Sequence, residues 1–200
     1  MNRIILTSII LVALLAGCTS SRATKAKKND NAVLSSIMDE TVGGQAGVVI
    51  SGKMDVQAKK MEADLGKTAK VERIGEGIKL TFNTQLLFDF NKTELKEANK
   101  ADLLKLAETL KQNPETDMLI VGHTDDTGTE ASNVDLSEKR ANAVANQLIS
   151  AGVDIKRMKI QGWGESQPSV LNDSEKNRSQ NRRVEIAIFA NAKMKKEAGL

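Results

Sequence analysis

Between residues 70 and 190 the spacing of apolar residues switches repeatedly between a period of two and a period near 3.6, which limits the fold more than any other feature. The stretch VERIGEGIKLTF reads as two strands around the turn Gly75-Glu76-Gly77. Residues 93–112 then take a helical period, with Leu103, Leu106, Ala107 and Leu110 on one face and Pro114 as the stop. Met118 to Val121 is a short buried strand, and a polar loop follows from Gly122 to about Ala131. Ala141, Val144, Ala145 and Leu148 mark a second amphipathic helix, closed by Gly152. Met158 to Gly162 and Val184 to Phe189 are further strands. From Ile78 the order is β-α-β-α-β-β, which predicts an α+β fold with helices packed on a sheet.

The N-terminus is built differently. Arg3 precedes an apolar run from Ile4 to Gly17, shorter than the roughly 20 residues of a membrane span. A charged start, an apolar run and small residues at its end describe a secretory signal over residues 1–17. The ending Leu15-Ala16-Gly17-Cys18 resembles the lipobox of bacterial lipoproteins, in which the cysteine is lipidated and becomes the new N-terminus. Cys18 is the chain's single cysteine, so it has no internal disulfide partner. By the same resemblance, Thr19 in place of an aspartate permits sorting to the outer membrane.

Residues 18–69 form a lead-in. The small, basic stretch from Thr19 to Asp30 reads as a disordered tether. Val33 to Met38 follows, then a short helical glycine-containing segment, Val42 to Gly52, in which Gly43 and Gly47 have GxxxG spacing. Met54, Ala58, Met61 and Leu65 repeat as a helical stripe, suited to docking or to a short coiled-coil seam. A domain over residues 70–190 and a basic tail at 191–200 complete the expected organisation. The net charge is +3, falling to +2 once Arg3 is cleaved away, so no strong basic field favours a nucleic acid. Four phenylalanines, one tryptophan and no tyrosine offer no base-stacking platform either.

Three segments carry candidate chemistry: GHTDDTG from Gly122, NVDLSEKRANAV from Asn133 and NRRVEIAI from Asn181. The first leaves a strand end and the second opens a helix, where unpaired N–H groups favour an anion. Asp125 and Arg140 facing one pocket would match a zwitterion, with an ammonium on the aspartate and a carboxylate in the arginine fork. The plain alternative is a mutual salt bridge that pins loop to helix. For Arg182-Arg183 the plain reading is a cap on the sheet edge, and for Trp163 with Gly162 and Gly164 it is a packed turn.

Gly122-His123-Thr124-Asp125, Gly128, Asn133-x-x-Leu136-Ser137-x-x-Arg140-Ala141-x-x-Val144 and Asn181-Arg182-Arg183-Val184-Glu185 together resemble the OmpA-like peptidoglycan-binding domain. The resemblance covers about 110 residues. The lead-in is similar to that of OmpA-family lipoproteins with glycine-zipper regions, although the glycine region here is short. The family's fold implies a small mixed sheet packed on helices. Its ligand is the free amino-acid end of meso-diaminopimelate in the wall peptide. The position of Asp125 meets the ammonium and that of Arg140 the carboxylate. Asn133, Thr124, Leu136 and the Phe88-Asp89 backbone line the site, and Arg183 is a second-rank contact. Ser132 stands where an aromatic often precedes the asparagine, a departure that loosens one wall. The implied protein is held in the outer membrane by lipid on Cys18, with its domain in the periplasm bound to peptidoglycan. No cofactor or metal is implied.

Two other classes compete. A periplasmic protein partner is compatible with wall binding. A hydrolase is disfavoured, because His123 is the only histidine and a catalytic zinc usually takes two or three. Ser137 has only His123 as a candidate base. Asp125 and Asp126 are adjacent rather than set ~5–9.5 Å apart across a glycosidic bond.

Overall fold

The computed structural model describes residue 42, residues 44–89 and residues 91–200. The signal segment, Cys18, the tether, Val33 to Met38 and Gly43 lie outside the described residues. Five strands form one sheet in the order β1-β2-β5-β3-β4. They are β1 (Ala69–Ile74), β2 (Gly77–Asn83), β3 (Thr116–Gly122), β4 (Met158–Gly162) and β5 (Arg183–Ala190). β3 and β4 run parallel, and the other neighbours run antiparallel. The sheet is therefore mixed, and the fold is α+β as the periodicity and the resemblance imply. Among the described residues six α-helices accompany it: α1 (Gly44–Leu65), α2 (Thr84–Leu87), α3 (Glu97–Gln112), α4 (Glu130–Ser150), α5 (Glu175–Asn181) and α6 (Ala192–Glu197). Among the described residues, no helix is long and apolar enough to cross a membrane.

One sheet face meets the long helices. Ile78, Leu80, Phe82, Met118, Ile120, Val184, Ile186 and Ile188 project from it and are fully buried. Opposite them lie Leu103, Leu106 and Leu110 of α3 and Val144 and Leu148 of α4. Each such side chain contributes about 1.5–3 kcal/mol by leaving water. Ile50, Met54, Met61 and Leu65 of α1 belong to the same buried cluster, as does Met194 of α6. The apolar core therefore extends on both sides of residues 70–190. The stripe read from Met54 to Leu65 docks on the body of the protein.

The glycine-containing segment continues that helix. Gly47 lies against the β1–β2 turn, where an added β-carbon would stand 2.7 Å from Glu76 Oε1. The same oxygen accepts the Val42 amide at 3.2 Å. Gly47 thus admits an intramolecular contact.

Two further glycines bring α4 close to the strand ends that carry the site. At Gly122 a β-carbon would overlap the Ser137 carbonyl, and at Gly162 it would crowd Glu138 N and the Val134 carbonyl. The Ser137 hydroxyl donates to Val134 O at 2.8 Å and accepts Gly164 N at 2.9 Å. This tie fixes the start of α4 over the end of β4.

Candidate functional site

The loop after β3 is folded by its own polar groups. Asp125 Oδ1 accepts the Thr127 amide at 3.0 Å, an Asx turn, and Gly128 takes a positive φ of 108°. Thr129 caps α4 by accepting Ser132 N. Asn133, one turn into the helix, donates to Asp125 O at 3.3 Å and to Glu165 Oε2 at 2.6 Å. The Thr124 amide donates to Gly164 O at 2.9 Å. Loop, helix start and the turn after β4 are therefore locked together.

The opposite wall comes from the bend between β2 and α3. The Thr84 amide and hydroxyl both donate to Arg182 O, at 2.9 and 3.0 Å, joining residues 98 apart in sequence. Phe88 ends α2 and forms a bridge with Leu95. These elements surround a cavity of about 420 Å³ at the sheet's end. Its lining includes Phe88, Asp89, Thr124, Asp125, Asn133, Leu136 and Arg140, all named by the sequence reading.

Arg183, ranked second by that reading, does not line the cavity. It points to the other face of the sheet, where Nε binds Glu185 Oε1 at 2.8 Å and Nη2 binds Gln167 O at 3.0 Å. Its neighbour Arg182 lines the cavity instead. Arg182 is the C-cap of α5 and Arg183 is the first residue of β5, so the two side chains leave different elements. Glu175, Thr84 and Lys96 also line the cavity and were not anticipated. Ser174, which caps α5 by accepting Asn177 N, is the local signal that could have exposed the short helix carrying Glu175.

Asp125 and Arg140 are each 6% exposed, but they form no salt bridge with one another. Asp125 Oδ2 pairs with Arg182 Nη1 at 2.6 Å, and Arg182 Nη2 pairs with Glu175 Oε1 at 2.6 Å. Arg140 has no carboxylate partner among the described residues. Its Nε donates to Lys92 O at 3.2 Å, and its guanidinium carbon lies 5.4 Å from the centre of the Phe88 ring. Burial lowers the proton affinity of Arg140, repulsion from Arg182 lowers it further, and Asp125 opposes both. Burial also works against the Arg182 charge, but hydrogen bonds to Glu175 and Asp125 outweigh it and raise its pKa. Arg140 remains a desolvated cation at a cavity wall, facing space that suits an anion.

His123 is elsewhere. It packs edge-on to Trp163, with ring centroids 5.6 Å apart, and neither ring nitrogen has a hydrogen-bond partner. Burial, with Arg183 and Lys79 nearby, pushes its pKa well below the ordinary value, so its 3.9 Å approach to Glu185 is not an ion pair at neutral pH. Ser137 is held by Val134 and Gly164, so the serine–histidine pairing weighed from sequence does not form.

Residues 87–182 match the OmpA family. The probable lipoprotein YiaD of Escherichia coli K12 is 34% identical over 94% of this chain and 98% of its own length. The chain belongs to the OmpA family. Within that family, the peptidoglycan-associated lipoprotein of Legionella pneumophila is 34% identical over 54% of this chain and 61% of its own length. Among solved structures, the cell wall anchor of the T6SS from Pseudomonas aeruginosa is 28% identical. It superposes with a TM-score of 0.61 over 67% of this OmpA-family chain and 97% of the anchor.

Proposed function

We propose that this OmpA-family protein binds peptidoglycan non-covalently through the zwitterionic end of meso-diaminopimelate and tethers the outer membrane to the wall through lipid on Cys18. The observation that carries the reading is Arg140, buried against Phe88 with no carboxylate partner among the described residues. A ligand carboxylate supplies that partner, and the ligand ammonium meets Asp125 across the cavity. Thr124, Asn133 and Leu136 shape the space between the two charges. That the Legionella relative is a peptidoglycan-associated lipoprotein and the Pseudomonas structure a cell wall anchor supports the choice of peptidoglycan.

Each charge-assisted hydrogen bond contributes roughly 1.5–3 kcal/mol, so one site binds weakly, on the order of micromolar to millimolar. Many copies of the ligand and confinement beside the wall raise retention far above that of one site. The reading is of a binder, not a hydrolase: Ser137 is held by backbone groups and His123 lies outside the cavity lining. The signal ending and Thr19 support export and outer-membrane sorting.

A sedimentation assay with purified sacculi tests the mechanism. The full chain is expected to co-sediment with diaminopimelate-type walls, and folded Asp125→Ala and Arg140→Ala variants are not. Walls with lysine at that peptide position lack the second carboxylate and should retain the protein poorly. Equal retention by both wall types would sink the mechanism.

A further inference from the structure

We propose that Glu175 is a specificity-determining residue of this cavity: by holding one edge of the Arg182 guanidinium, it keeps Asp125 open to an incoming primary ammonium. The inference rests on the reading of the cavity as a zwitterion site and assigns α5 a part in it.

An arginine facing a single carboxylate closes on both oxygens as a fork. Here the fork is split. Nη1 goes to Asp125 and Nη2 to Glu175, each at 2.6 Å. A carboxylate offers about four acceptor directions. Asp125 uses one on the Thr127 amide and one on Arg182, which leaves acceptor capacity for a ligand. Glu175 is itself held in place. It is the first residue of α5, and Arg178 Nε binds its second oxygen at 3.2 Å. Hydrogen bonds from Arg182 and Arg178 hold its pKa below the ordinary value, which keeps it ionised.

Arg140 supplies the other end of the site, and Glu175 acts on Asp125 through Arg182 alone. Without the Glu175 charge, Nη2 is released and the fork turns fully onto Asp125. The carboxylate end at Arg140 is untouched.

The test is an NMR titration of the full chain at low ionic strength, with meso-diaminopimelate and with pimelate, the same diacid without ammonium groups. Glu175 has an exposed side chain, so the effect is modest and salt-sensitive. Glu175→Gln should weaken meso-diaminopimelate about three- to fivefold and leave pimelate unchanged. In an Arg182→Gln background the same substitution should do nothing more, which a merely structural role of Glu175 would not produce. Unchanged affinity for meso-diaminopimelate, an equal loss for pimelate, or a full loss in the Arg182→Gln background overturns the inference and leaves the zwitterion site standing. Absence of meso-diaminopimelate binding by the unaltered protein removes both.

Discussion

Arg140 and Arg183 are almost equally buried, at 6% and 2% exposure, yet they are opposite kinds of residue. Arg183 lies on the sheet face away from α3 and α4 and has Glu185, Asn181 O and Gln167 O as acceptors. Arg140 has one backbone carbonyl and an aromatic face. The first arginine has its counter-charge inside the fold and serves stability. The second has been desolvated without one among the described residues, and in the proposed function the ligand carboxylate supplies it. Burial alone does not distinguish a structural cation from a binding one; the location of its partner does.

The comparison can be broken most forcefully at Glu185. Glu185→Ala strands the Arg183 charge and should cost about 3–5 kcal/mol of folding stability in urea titrations, with ligand affinity of the folded fraction kept. A loss below about 1 kcal/mol would mean that Arg183 is not structural in this sense. Arg140→Ala is the mirror experiment. It should lower wall affinity by about 2–5 kcal/mol while the melting temperature holds or rises, since a desolvated cation is removed. A melting temperature that falls as far as in Glu185→Ala would erase the distinction.

Gly122 lies between the two regions and gives a smaller effect. Gly122→Ala forces α4 away from the strand end and should cost about 1–3 kcal/mol of stability by overpacking. Wall binding should weaken as well, because Arg140 rides on the displaced helix. The smallest effect belongs to His123 and is absent at neutral pH. Its folded-state pKa lies well below the ordinary 6.5, so the unfolded chain takes up the proton first. Its contribution to stability is whole above 6.5 and is lost as pH falls below that value toward the folded-state pKa. Replacing it with phenylalanine should flatten the first part of the acid decline, measured as unfolding free energy against pH; an unchanged slope would refute the assignment.

Much of this was legible in the residues. Leu103, Leu106, Ala107 and Leu110, and then Ala141 to Leu148, announce the two long helices because one apolar face each is buried. Asp125 and Arg140 were readable as a pair because a strand-end loop and the following helix start converge on one space. α5 was not readable, since EKNRSQN has no apolar stripe and its one buried residue is Asn181. Without α5, nothing in the sequence says that Arg182 has a second carboxylate, or which of two adjacent arginines faces the cavity. α1 was visible in both of its parts, the helical glycine-containing segment and the stripe from Met54, while only the contact with Glu76 explains why a glycine stands at position 47.

The Thr84–Arg182 junction has a thermodynamic consequence. It closes one side of the cavity with two hydrogen bonds between residues 98 apart, so the walls meet only when β2 and β5 are paired along their length. A chain that has lost that pairing has no site, and a ligand that binds only the native state adds RT ln(1 + [L]/Kd) to its stability. At a ligand density one hundred times Kd, this is about 2.7 kcal/mol. The wall would then stabilise this protein by mass action, as any ligand of the native state does: heat or acid that unfolds the free domain would spare the population already seated on peptidoglycan.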